Sequence, residues 1–92
     1  STTVDRVVAY PNPAISPSPL EPIIFTRLPD GALVTIYAIG GERIRDGLVA
    51  DGAGEVRWDG NDDEGAPTAS GVYFFLARLG DSKARGRVAV VR

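Results

Sequence analysis

The chain of 92 residues carries 12 acidic and 10 basic residues, a net charge of −2, and contains no Cys, His or Met. Those absences remove disulfides, thiolate nucleophiles, Cys-based zinc sites and any Ser-His-Asp constellation. Acids and bases are interspersed, so the sequence shows no electrostatic footprint for nucleic acid, and no run approaches the ~18 apolar residues of a membrane span.

Residues 1–92 are expected to form one domain with a modest core. Because Ser1 is not a methionine, a processed chain or a piece of a longer one is expected, any targeting segment having been removed.

The first predicted strand, Val4 to Tyr10, alternates apolar and polar residues. It leads into Y-P-N-P-A-I-S-P-S-P-L-E-P, Tyr10 to Pro22, which holds five of the seven prolines. Proline removes backbone donors and fixes φ, so this segment cannot be a central strand and should cross the surface or one sheet edge in extended form. Near matches to a PxxP ligand, Pro13 to Pro17 and Pro19 to Pro22, are outweighed by that structural use.

Six further strands are predicted over Ile23 to Leu28, Ala32 to Ile39, Arg43 to Ala50, Glu55 to Trp58, Gly71 to Leu79 and Lys83 to Val91. In the second of these, Val34 and Ile36 share one face while Leu33, Thr35, Tyr37 and Ile39 take the other, the pattern of an interior strand covered on both sides. Pro29-Asp30-Gly31, Gly40-Gly41 and Asp51-Gly52-Ala53-Gly54 read as hairpin turns. No helical stripe with caps interrupts the strands. An all-β antiparallel sandwich of about seven strands is the economical fold.

The concentrated chemistry lies in W-D-G-N-D-D-E-G, Trp58 to Gly65. Asp59, Asn61 and Asp63 stand at positions one, three and five of a calcium loop, but Glu64 occupies the position that needs glycine, and Ser70 the one that needs a bidentate glutamate. Asp, Asn and Gly also recur in loops for turn chemistry alone. Pairing two of Asp59, Asp62, Asp63 and Glu64 as the acid and base of a glycosidase would demand a cleft that separates their pKa values, which a hydrophilic loop on a small sandwich does not provide. Trp58, the one tryptophan, is better placed in the core with Val56 than as a binding platform. Tyr73 and Phe75 should pack one side of their strand, with Phe74 on the other. The basic residues are nine Arg and one Lys, suited to bidentate carboxylate pairs across strands or between subunits.

Taken in order, several segments resemble the immunoglobulin-like domain of the bacterial flagellar hook-capping protein and its relatives, the C-terminal sorting domains of type IX secretion. They are Y-P-N-P (Tyr10, Pro11, Asn12, Pro13), V-T-I-Y-A-I-G-G-E-R-I-R (Val34 to Arg45), W-D-G-N-D-D-E-G with Trp58, Asp59, Gly60, Asp63 and Gly65, S-G-V-Y-F-F with Gly71 and Tyr73, and the basic-to-apolar ending Lys83 to Arg92. Family members carry a large residue where Ala14 stands and an acidic one where Ala38 stands.

The resemblance implies an immunoglobulin-like sandwich without enzymatic activity or cofactor. Its acidic loop would be a structural corner, calcium at Asp59, Asn61 and Asp63 being a subsidiary reading. It further implies an extracellular or cell-surface module for secretion and anchoring, partnered by a secretion or attachment machinery. The alternative is a structural subunit that assembles with further copies of itself into a filament by strand complementation. Neither reading includes a nucleic-acid partner or a membrane span.

Overall fold

A computed structural model describes residues 7–92. All regular structure in it is β, as the alternating pattern predicts. The strands are β1 Val8–Tyr10, β2 Ala14–Ile15, β3 Ile23–Thr26, β4 Leu33–Ala38, β5 Arg43–Val49, β6 Val56–Trp58, β7 Gly71–Leu79 and β8 Ser82–Val91. Residues 4–6 of the predicted first strand lie outside the described residues. Two sheets form the sandwich, one in the order β1-β3-β6 and the other in the order β2-β8-β7-β4-β5.

β4 lies between β7 and β5, the interior place its two covered faces predict. Its Val34 and Ile36 are buried on the core side, whereas Thr35, on the opposite face, is also buried and donates to Asp46 Oδ1 of the neighbouring β5 at 3.0 Å. Ile39 falls past the strand end and is exposed. The core forms between the sheets, where Ile23, Phe25, Val56 and Trp58 of one meet Val34, Ile36, Tyr73, Phe75, Val88 and Val90 of the other. Two aromatic pairs bridge the layers edge to face: Phe25 with Phe75 at 4.9 Å and Trp58 with Tyr73 at 5.9 Å between centroids. Such T-shaped contacts set the ring quadrupoles favourably in addition to the area they bury. Trp58, Tyr73 and Phe75 thus occupy the core, and Phe74 the outer face.

Two expectations need correction. The sandwich is not wholly antiparallel, since β2 pairs with the end of β8 in parallel, Ala14 opposite Val90 and Ile15 opposite Val91. The proline-rich segment does follow a sheet edge, but Ala14 and Ile15 between its prolines keep their amides and add an eighth short strand there. Asn12 extends this edge with its side chain: Nδ2 donates to Arg87 O at 3.4 Å and Oδ1 accepts from Ala89 N at 3.1 Å. The amide of Y-P-N-P therefore stands in for a strand where the flanking prolines cannot donate.

The second correction concerns the turns. Gly40-Gly41 closes the β4–β5 hairpin, with Ala38 N donating to Glu42 O at 2.8 Å. Pro29-Asp30-Gly31 and Asp51 to Gly54 instead carry the chain from one sheet to the other, β3 to β4 and β5 to β6. These two crossings lie side by side, Leu28 N donating to Gly54 O at 3.1 Å. Asp and Gly favour a reversal of direction; whether the next strand pairs with the last depends on which sheet has room for it.

Candidate functional site

The acidic segment after Trp58 carries the chain from β6 to β7 and therefore turns the corner between the sheets. Its carboxylates bind the loop itself and the adjacent β5. Asp59 Oδ1 accepts from Asn61 N at 3.0 Å and pairs with Arg45 Nη1 at 3.3 Å. Asp62 Oδ1 accepts from Glu64 N and Ala66 N, both at 2.9 Å, closing the turn through Gly65. Asp63 reaches to β5, accepting from Asp46 N at 2.9 Å and lying 3.8 Å from Arg43 Nε. Asp59 and Asp63 thus hold different partners. Among the described residues no group of three or more His, Cys, Asp or Glu is gathered as a metal centre. The positive φ of this turn falls at Gly65, one place beyond the position that a calcium loop of the helix-loop-helix type requires.

Beneath the acids lies a set of contacts that spacing in the sequence does not reveal. Trp58 Nε1 donates to Asn61 O at 2.8 Å, so the indole is fixed by the loop that follows it. Gly60 O accepts from Thr68 N at 3.0 Å, Thr68 Oγ1 at 2.8 Å and Arg92 Nη2 at 3.0 Å. Arg92 also donates through Nε to Thr68 O and through its backbone N to Ser70 Oγ at 2.8 Å. Gly60 has φ +83°, and a Cβ there would lie 2.7 Å from Pro17 Cγ. The proline crossover, the acidic loop and Arg92 therefore converge on one glycine. Tyr73 completes the corner, its hydroxyl donating to Ala69 O at 2.7 Å, the geometry by which a tyrosine near a strand start ties down the preceding turn in sandwich folds.

The sequence motifs thus come together unequally. Trp58, Asp59, Gly60, Asp63, Gly65, Gly71 and Tyr73 lie on the corner, whereas Tyr10 ends β1 opposite Ile24 of β3, and of Pro11, Asn12 and Pro13 it is Asn12 that bonds to the edge of β8. Nothing local in the sequence marks Arg45, Thr68, Arg92 or Pro17 as part of the corner; an arginine or threonine has no local signature when its partner is fixed by tertiary packing.

Electrostatics reinforce the β5 side. Asp46 is held below the usual carboxylate range, first by the hydrogen bond from Gly47 N, then by Thr35, with Arg43 and Arg78 assisting against desolvation. Asp51 is lowered chiefly by the backbone donor of Glu55. A carboxylate with a depressed folded pKa contributes stability that is present above its unfolded pKa and is lost as pH falls through the folded one. Asp46→Asn is therefore expected to show a smaller loss of Tm than the parent as pH is lowered from about 5 through and below the ordinary carboxylate range. An equal loss in both proteins, followed by circular dichroism, would remove Asp46 from the acid response.

The fold and corner define an all-β two-sheet module whose conspicuous loop is built into its framework. No protein-family model matches the chain, and no curated protein matches it. Among solved structures, PorZ of Porphyromonas gingivalis, an essential bacterial surface component of the type IX secretion system, is similar over 100% of this chain, with 27% identity and a TM-score of 0.77. The chain corresponds to 12% of that protein's length. The likeness falls on a component of the same secretion system that the motif order resembles.

Proposed function

We propose that this sandwich is a non-enzymatic module of a type IX secretion pathway, serving at the cell surface or outside the cell in export or anchoring of the polypeptide that carries it. The observation that carries the reading is the end-to-end likeness to part of PorZ. The internal use of the acids supports it: Asp59 and Asp63 bind Arg45, Arg43 and β5, and the module is proposed to need no cofactor. Both described terminal strands pair inside the chain's own sheets, β1 with β3 and β8 with β7. That arrangement favours an export module over a filament subunit joined by strand exchange.

Deleting residues from Lys83 onward is a poor test, because it removes Val88 and Val90 from the core and would block export by unfolding. The informative experiment fuses residues 1–92 to the C-terminus of a periplasm-directed reporter in Porphyromonas gingivalis. Surface-exposed or released reporter in the parent strain, and periplasmic reporter in a strain lacking the type IX apparatus, is the expected result. Periplasmic retention in both strains, with the fusion folded, would overturn the reading.

A further inference from the structure

The outer face of the five-stranded sheet differs in character from the acidic corner. On β7 and β8 the outward positions pair Phe74 with Arg87, Leu76 with Arg85 and Arg78 with Lys83. None of these four cations makes a salt bridge among the described residues. Arg43, Arg45 and Arg57, by contrast, are all paired with acids. A chain of net charge −2 thus gathers four cations on one sheet face, of which Arg78 also acts on Asp46 of β5. Interspersed residues in the sequence become a stripe because alternate positions share a face.

Between the arginines and Tyr37 of β4 runs an open groove of about 500 Å³, walled by Tyr37, Phe74, Leu76, Arg85 and Arg87 and floored by the backbone of Phe75 and Gly86. Phe74 remains 39% exposed within it. Its polar side chains are guanidinium groups, which only donate hydrogen bonds, and the Tyr37 hydroxyl; no carboxylate or amide side chain lines it. A neutral sugar, whose hydroxyls need acceptors as well as donors, finds few partners there. A carboxylate-bearing ligand with an apolar part matches both walls.

We propose that this groove is a docking surface for an extended acidic polypeptide segment of the pattern acid–apolar–acid. Arg85 and Arg87 are two residues apart on one strand face, and an extended peptide repeats its same-side groups at that spacing, ~6.5 Å. Two carboxylates of the segment engage the two guanidinium forks, and an intervening apolar side chain covers Phe74 and Leu76. The surface is distinct from the corner at Gly60, and its use does not depend on whether the module directs export.

The test is titration of the 15N-labelled chain with a soluble peptide of alternating glutamate and phenylalanine, read by NMR chemical shifts. Shifts are expected at Tyr37, Phe74, Arg85 and Arg87, with affinity falling as salt rises. The exposed double variant Arg85→Glu/Arg87→Glu should bind at least about tenfold more weakly at unchanged Tm, a difference of ~1.4 kcal/mol. Phe74→Ala supplies an independent variant that leaves the charges in place and should also weaken binding. Parallel titrations with polygalacturonate and oligothymidylate distinguish a peptide site from a general polyanion site. The proposal falls if the peptide gives no localised shifts at millimolar concentration, if the double variant binds as well as the parent, or if either polymer occupies these residues more tightly than the peptide.

Discussion

Gly60→Ala is expected to destabilise the chain by about 2–4 kcal/mol, among the largest effects of any single-methyl addition. Two costs combine. Gly60 holds φ +83°, where an L-residue loses roughly 1–2 kcal/mol, and its added Cβ would stand 2.7 Å from Pro17 Cγ and 3.0 Å from Arg92 Nη2. Pro17 is buried and part of a stiff crossover, so it yields less readily than a free side chain would. For a domain of this size the loss corresponds to a fall of roughly 10–20 °C in Tm. Pro17→Ala in the same chain should recover the steric part and leave the backbone part. Thermal unfolding followed by circular dichroism checks both statements, and a Gly60→Ala protein within ~0.5 kcal/mol of the parent would show that the corner relaxes freely.

The second large effect is expected at Gly86, opposite Phe75 in the β7–β8 ladder. The φ of Gly86 is not in the left-handed region, so backbone strain is not the reason for glycine there. A methyl group would lie 2.6 Å from Phe75 Cζ, and the ring is held in the core by its edge-to-face contact with Phe25, 4.9 Å between centroids. The phenyl ring covers the glycine and fills the space a side chain would have taken, a device that restores packing beside a strand glycine. Gly86→Ala should cost about 1–3 kcal/mol by overpacking.

The distinguishing measurement is a double-mutant cycle with Phe75→Leu, which shortens the ring and opens room for the methyl group. Because the two residues touch, their effects should fail to add by about 1 kcal/mol or more, the double variant being less damaged than the sum. Strict additivity in urea unfolding would mean that Gly86 is required for something other than the ring above it.

Both glycines bear on how much the chain discloses before it folds. The strand at Gly71–Leu79 is legible because Tyr73, Phe75 and Ala77 alternate with Val72, Phe74 and Arg78, and a period of two admits one reading. The burial of Trp58 is legible from its size and from Val56 two residues earlier. The turn at Asp62 is legible too, since an aspartate followed by glycine three residues on bonds its own backbone. Each of these rests on interactions within a few residues along the chain.

Gly86 gives no such signal, because its partner Phe75 is identified only when β7 and β8 take their register. The corner is similar. W-D-G-N-D-D-E-G displays its acids openly, yet the groups that hold Gly60 are Thr68, eight residues on in the same connection, and Pro17 and Arg92, brought in from farther along the chain. Asn12 likewise meets Arg87 from 75 positions away, and the parallel pairing of β2 follows from that approach.

By itself, then, the order of residues determined the strand class, the faces of β4 and β7, the core places of Trp58 and Tyr73, and the turn-forming use of the acids. Tertiary structure alone decided which turns cross between sheets, that the proline segment gives β8 a parallel neighbour, and that four scattered cations share one face. The physical reason is the range of the forces involved. Backbone sterics, side-chain alternation and Asx turns act over neighbouring residues, whereas sheet partners, close approach at Gly60 and the charge of a surface are set only when distant segments compete for the same space.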